Sequence, residues 1–222
     1  MSLRGKLFAL TYDRQMAKVE KASLRALRES LLAAASGDVL EVGGGTGANL
    51  AFYQPEARSL TITEPETAMV RRLERRAREQ APQAKILRAP AEDLPFEDGT
   101  FDVVVSTMVL CSVSDQPRAL RQLRRVLRPG GQLLLIEHVR SGDPQLARHQ
   151  DRMNWMCQAV MRCDCNRPTL TSIEEAGFTV TDLEHLTMQK APSFVSPLIV
   201  GSVTAPTATA RRDAQFVRQA LS

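Results

Sequence analysis

An α/β doubly wound sheet is the fold class this sequence predicts, on three observations. A buried strand, Val39–Val42, runs straight into a glycine turn, Gly43-Gly44-Gly45-Thr46-Gly47. Strand and helix patterns then alternate along the chain. Phe101-Asp-Val-Val-Val-Ser106 is apolar on both faces, as an interior parallel strand is. At 222 residues the chain fits one domain with a sizeable core.

Taken in order, Tyr12-Asp13 precedes a helix expected from about Ala17 to Ala35, with Leu24, Leu27 and Leu31 on one face. Gly37 is its expected C-cap. This segment leads into the central strand and is expected to lid the site. In that strand Leu40 and Val42 face one side, Val39 and Glu41 the other. The glycines remove Cβ atoms, so a ligand can approach the backbone. A short helix is expected to follow, ending near Pro55, with its N–H groups facing the ligand. Ser59–Thr63 is the second strand, with Glu64 at its carboxyl end. Pro65 opens a helix whose inner stripe is Met69, Leu73 and Ala77. Ala84–Arg88 is the third strand and Phe101–Ser106 the fourth. Asp115 and Pro117 start a helix with Leu120, Leu123 and Leu127 inward. Pro129-Gly130-Gly131 stops it before the fifth strand, Gln132–Val139. Asp143-Pro144 opens a helix to about Arg162. Thr171-x-x-Glu174 reads as a capping box for a short helix that Gly177 ends. Phe178–Thr187 and Leu198–Thr204 read as a terminal strand pair, and a helix at Asp213–Leu221 is left open.

Composition bounds the function. Hydrophobic residues are 43% and charged residues 24%, an ordinary soluble-globular balance. No apolar run is long enough to span a bilayer, and Met1–Leu10 lacks the features of a signal peptide. A cytoplasmic protein without stable membrane insertion is expected. The net charge is +4, with arginines clustered at 71–78 and 118–128. Both clusters lie on predicted helices, interleaved with core-spaced apolar residues. They read as solvated helix faces, and with no nucleic-acid motif beside them no nucleic-acid partner is expected. The cysteines are 111, 157, 163 and 165; Cys163-Asp-Cys165 lacks the two-residue spacing of a zinc site. Free thiols in a reducing compartment and no metal are expected.

Ligands of doubly wound sheets bind at the carboxyl ends of the strands. Those ends carry Gly43–Gly47, Glu64, Ala91-Glu92, Ser106–Met108 and Glu137-His138. Gly43-x-Gly45-x-x-Ala48, with an acidic residue about 20 positions on, fits a dinucleotide fingerprint. The loop alone does not decide the ligand.

The combination decides it. Glu41-x-Gly43-x-Gly45-x-Gly47, Glu64-Pro65, Ala91-Glu-Asp-Leu-Pro-Phe96, Phe101-Asp-Val-Val and Leu127-Arg-Pro-Gly-Gly131 together resemble the class I S-adenosylmethionine (SAM) methyltransferases. The set is similar to the subfamily of ubiquinone/menaquinone C-methyltransferases, and the likeness covers roughly Tyr12 to Thr204. It implies a Rossmann-like sheet of seven strands, order 3-2-1-4-5-7-6, with the last strand antiparallel. The implied layout is a helical lid at 1–36, a methyltransferase domain at 37–205 and a tail at 206–222. Val39–Leu50, Val109-Leu-Cys-Ser-Val113, Glu137-His-Val139 and Cys165-Asn166 resemble the methyltransferase-like 7 group, whose members S-methylate alkyl thiols. The chain is expected to depart from that group in lacking its long N-terminal membrane anchor, and it carries Gly44 where Cys is usual.

The resemblance implies SAM as cofactor, S-adenosyl-L-homocysteine as product and a small-molecule methyl acceptor. Gly43, Gly44, Gly45 and Gly47 would form the cofactor loop. A carboxylate at Glu64 can accept from both ribose hydroxyls, with Pro65 beside it. Glu41, on a buried strand, is either a ligand of the cofactor amino group or a structural carboxylate. Ala91 and Glu92 would meet the adenine, although Pro90 stands where relatives place Asp. Ser106–Met108, with Thr107 between, would offer carbonyls to the methionine amino group. Asn49 is a brace or a contact, and Tyr12 a lid over the methionine or a packing residue. His138 is a general base for the acceptor or a structural histidine. The helix with Met153, Trp155, Met156 and Val160 walls the substrate pocket or simply packs. The implied reaction is S-methylation of a small apolar thiol by in-line displacement, needing no metal. O-, N- or C-methylation of a quinone or natural product, and SAM binding without catalysis, are the alternatives.

Overall fold

Residues 12–207 are described in this computed structural model. Seven strands form one sheet: β1 Asp38–Val42, β2 Ser59–Thr63, β3 Lys85–Leu87, β4 Phe101–Thr107, β5 Leu127–His138, β6 Thr179–Thr187 and β7 Pro197–Thr204. Their order is β3-β2-β1-β4-β5-β7-β6, as the resemblance implied. The first five pair in parallel; β7 lies antiparallel between β5 and β6. Among the described residues five helices cover it: α1 over 12–32, α2 Thr67–Gln80, α3 Gln116–Val126, α4 Pro144–Val160 and α5 Thr169–Glu175.

Period-two alternation divides the core between the two faces. Leu40, Val42, Val104, Leu133 and Leu135 pack with Leu120 and Leu123 of α3 and Ile173 of α5. Val39, Ile62, Val103, Val105, Leu134 and Ile136 pack on the other face with Leu24, Leu31 and Leu32 of α1 and Leu73 and Ala77 of α2. Asp115 and Asp143 cap α3 and α4 as expected: Asp115 accepts from Arg118 N, Asp143 from Gln145 N and Leu146 N.

Five local expectations are corrected. Helix α1 already includes Tyr12, contains a π-turn at Glu20–Leu24 and ends at Leu32, so Gly37 is not its cap. No α-helix follows the glycine turn; one 3₁₀ turn, Leu50–Phe52, stands there. Gly43, Gly45 and Gly47 all have positive φ, which breaks the helical path. Helix α2 starts at Thr67, so Pro65 precedes it rather than opening it. Leu127 belongs to β5, opposite Phe101, and the Arg-Pro-Gly-Gly run is an irregularity within that pairing. The Thr171 capping box does not form. Buried Thr169 already holds α5 in place, accepting from Gln116 and donating to His138 O.

The arginine clusters are largely engaged in holding the protein together. Arg124 donates to Ala176 O, Arg125 to the carbonyls of Leu94 and Phe96, and Arg76 pairs with Asp13. Among the described residues no helix is long and apolar enough to cross a membrane. The possible helix at Asp213–Leu221 lies outside the described residues.

Gly201 joins the antiparallel edge with φ +144°, and a Cβ there would lie 2.1 Å from Asp182 O. Gly201→Ala is expected to cost about 1–3 kcal/mol, read as a lower urea midpoint. An unchanged midpoint would contradict this account of the β6–β7 edge.

Candidate active site

The carboxyl ends of β1, β2, β4 and β5 open into one cavity of ≈ 710 Å³, within the roughly 300–1,000 Å³ of small-molecule sites. Gly43 and Gly45 present backbone to it. A Cβ at Gly45 would meet nothing closer than Gly43 O at 3.9 Å, so it would project into the cradle. Gly44 and Gly47 turn the other way, onto Ile62, Leu73 and Leu50, and lie behind the cavity. Glu64 stands on the rim, 6% exposed. Its oxygens accept from Gly45 N and Glu66 N, both at 2.9 Å. Burial raises its pKa above the ordinary carboxylate range.

Behind the turn lies a buried polar network. Arg28, 4% exposed, donates to Asn49 Oδ1 at 2.8 Å and Thr107 Oγ1 at 2.9 Å, and pairs with Glu20 at 2.9 Å. Asn49 donates to Glu41 Oε1 at 2.9 Å and Thr107 Oγ1 at 3.0 Å. Tyr53 donates to Glu41 Oε2 at 2.7 Å. Glu41, Asn49 and Thr107 therefore sit behind the cavity wall with their polar groups engaged by protein. Burial raises the Glu41 pKa. Arg28 was not among the candidates from sequence. Its signal was a charged residue on the apolar face of α1, between Leu24 and Leu31.

The rest of the cavity is mostly apolar. Pro65, Ala91 and Glu92 line it, with Glu92 accepting from Ser114 N at 2.8 Å. Met108 lines it with φ +62°. Tyr12 closes one side from α1, its hydroxyl pKa pushed up to about 12 by burial. Met156, Val160 and Met161 form a wall with Met188, Phe194 and Val195. Trp155 does not join them. It is 68% exposed, one residue around the helix from Met156.

His138, at the end of β5, lines the cavity and is 6% exposed. Neither ring nitrogen has an oxygen or nitrogen partner among the described residues, and the Cys163 thiol is the group that interacts with the ring. Beside it stand Cys111 and Cys163, also buried and also lining the cavity. Contact between the two thiols holds Cys163 below the ordinary thiol range and Cys111 above it. The neighbouring carboxylate, Glu137, is fully buried and accepts from Ser106 Oγ at 2.7 Å and Val109 N at 3.0 Å. The sequence predicts only free thiols here, because Cys163-Asp-Cys165 lacks the two-residue spacing of a zinc site.

The strand order, the glycine cradle after β1 and the acidic residue after β2 define a Rossmann-like enzyme of the SAM-dependent methyltransferase class. A family model described as a methyltransferase domain matches residues 40–135. Human thiol S-methyltransferase TMT1A is 32% identical over 206 residues, covering 87% of this chain and 81% of that protein. Human thiol S-methyltransferase TMT1B is 36% identical, over 69% and 66%. The ubiquinone/menaquinone biosynthesis C-methyltransferase UbiE of Idiomarina loihiensis is 28% identical, over 67% and 69%. Geranyl diphosphate C-methyltransferase of Streptomyces coelicolor A3(2) superposes with a TM-score of 0.64 at 16% identity, over 81% of this chain and 77% of that one. At that identity the likeness shows the fold alone. The chain belongs to the SAM-dependent methyltransferase family. SAM is its cofactor, and the Cβ-free cradle at Gly45 with the Glu64 carboxylate on its rim fits that group.

Arg28→Leu would leave Glu20, Asn49 and Thr107 short of a partner. It is expected to destabilise the protein by about 3–5 kcal/mol and to weaken SAM binding, read by urea unfolding and calorimetry. Wild-type stability and affinity would rule out a bracing role.

Proposed function

We propose that the protein S-methylates a small apolar thiol with SAM. The observation that carries this is the composition of the cavity beyond the cradle. Its wall is largely methionine, valine and phenylalanine, and its polar end is the cluster of His138, Cys111 and Cys163. Met side chains adapt to varied apolar shapes. The names of the TMT1A and TMT1B relatives point the same way.

SAM, when bound, supplies an electrophilic methyl carbon on a sulfonium. The chain's own residues do the rest. Glu64 faces the cavity and would take the ribose hydroxyls, exchanging its backbone donors for them. The Ala91 N–H and Glu92 would meet the adenine. Gly43 and Gly45 would give backbone to the methionine end. Glu41, Gly44, Gly47, Asn49 and Thr107 would hold that backbone in shape from behind. The segment before residue 37 would act as a lid, since Tyr12, Gln15, Met16 and Val19 of α1 all line the cavity. His138 would meet the acceptor, with the cluster beside it providing for loss of the thiol proton. Four free, buried cysteines support a reducing, cytoplasmic setting. Arginines engaged within the protein support a small-molecule acceptor over nucleic acid. The UbiE relative makes quinone C-methylation the second reading.

Two measurements test this. The first is methyl transfer from labelled SAM to an alkyl thiol, alcohol, amine and phenol of matched shape. Transfer to the thiol alone is expected, with Glu64→Ala weakening SAM binding roughly 10- to 100-fold. Transfer to the phenol or to a quinone precursor, with none to the thiol, would replace this reading with the second. The other is SAM affinity against pH. Because burial raises the Glu64 pKa, the carboxylate protonates above the ordinary glutamate range as pH falls. Affinity is expected to drop there, and Glu64→Gln to remove the drop. A pH-independent wild type would count against Glu64 as the ribose acceptor.

A further inference from the structure

Three buried metal-ligating side chains meet at the acceptor end of the cavity. The ligand atoms of Cys111, His138 and Cys163 all lie within 4.8 Å of one another. The residues are 2%, 6% and 7% exposed. With zinc bonds of about 2.3 Å to sulfur and 2.0 Å to nitrogen, the edges of a tetrahedron are about 3.4–3.8 Å. Small side-chain rotations therefore suffice to seat an ion. A second observation points to a ligand: the His138 ring nitrogens are buried and meet no protein oxygen or nitrogen partner among the described residues, only the Cys163 thiol beside them. A polar ring kept this dry is costly unless something else binds it.

The scaffold holds the three segments together. Asp164 N donates to Cys111 O at 2.7 Å, and Arg167 donates to Leu110 O at 3.0 Å. Gln150, fully buried, donates to the carbonyls of Val139, Cys165 and Phe194 at 3.0, 2.7 and 3.3 Å. The loops of Cys111 and Cys163 are thus tied to each other, and the latter to the end of β5. Arg162, just before Cys163, takes φ +57°, a conformation that costs a non-glycine residue energy. It turns the chain where Cys163 enters the cavity wall. Supporting contacts of this kind are what a preorganised site requires.

We infer that Cys111, His138 and Cys163 form a zinc site whose fourth position opens to the cavity and takes the sulfur of the methyl acceptor. Two thiolates and an imidazole are a ligand set suited to zinc, and three protein ligands with one open position is the arrangement of catalytic rather than structural sites. The fourth ligand rests on the thiol reading above; the three protein ligands do not. On coordination the acceptor S–H bond breaks, its electron pair stays on sulfur in the new zinc–sulfur bond, and the proton passes to solvent. His138 then serves as a ligand rather than as a free base.

The test uses the full chain, purified reduced, loaded with Zn²⁺ or Co²⁺ and dialysed against a weak chelator. Metal content near one ion per chain is expected, with a thiolate-to-cobalt charge-transfer band in the Co²⁺ form. Cys111→Ser, Cys163→Ser and His138→Ala are each expected to weaken retention by more than the roughly 10–100-fold that outer-shell partners cost. S-adenosyl-L-homocysteine binding reports that each variant is folded, and Cys165→Ser, outside the cavity wall, keeps the metal. An alkyl thiol is expected to shift the cobalt bands. Metal-free wild type, retention untouched in the three variants, or a Cys111–Cys163 disulfide in place of metal would overturn the site. A metal-free chain that methylates thiols at the full rate would overturn the site and keep the S-methylation reading. A metal-loaded chain that methylates a phenol and no thiol would keep the site and remove that reading.

Discussion

The structure depends on how Arg28 is satisfied. A guanidinium almost out of water must find hydrogen-bond acceptors, and this one finds Glu20, Asn49 and Thr107. Those partners come from α1, the glycine turn and the end of β4. Asn49 passes the connection on to Glu41 in β1, and Tyr53 closes it from beyond the turn. One cation therefore fixes α1, the glycine turn, β1 and the end of β4 relative to one another. The π-turn at Glu20–Leu24 belongs to the same solution, since it lies in the stretch of α1 that sets Glu20 against Arg28.

That network also explains why no helix is needed behind the cradle. Positive φ at Gly43, Gly45 and Gly47 brings backbone into the cavity but forbids helical propagation through the turn. The turn is instead held by side chains: Asn49 from below, Thr46 to Asp13 on α1, and Glu64 through the Gly45 N–H. Glu64 is thus both a rim carboxylate and a brace, and its burial makes its charge state sensitive to whatever enters the cavity.

The acceptor end is built on different physics. The loops that follow β4 and β5 carry it, with Cys111 after the one strand and His138 ending the other. Gln150 and Arg167 tie the loops of that region together through main-chain carbonyls. The result is an apolar wall on one side and a dry His–Cys cluster on the other. The buried His138 ring without an oxygen or nitrogen partner lowers stability there, because desolvating a polar atom costs free energy.

By itself, the amino-acid sequence determined the sheet and its layers. The apolar runs Val39–Val42 and Phe101–Ser106, the glycines after β1 and the capping aspartates at 115 and 143 are local signals, and local physics obeys them. Glu64 was legible for the same reason: its place follows from the end of β2. What only the tertiary structure decided were matters of distance between remote residues. Arg28 looks like an interruption of a helical stripe until Asn49 and Thr107 arrive around it. Glu41 and Asn49 stand in cofactor motifs, yet their side chains point behind the wall, because a strand's two faces are assigned only when the sheet is covered. Trp155 and Met156 are adjacent, and the docking of α4 alone set which of them meets the cavity. Cys111 and Cys163 lack metal spacing, because spacing rules describe ligands on one loop and these stand on two. The chain meets its own distant parts through crossovers and burial, and no local pattern encodes the side chains that result as neighbours.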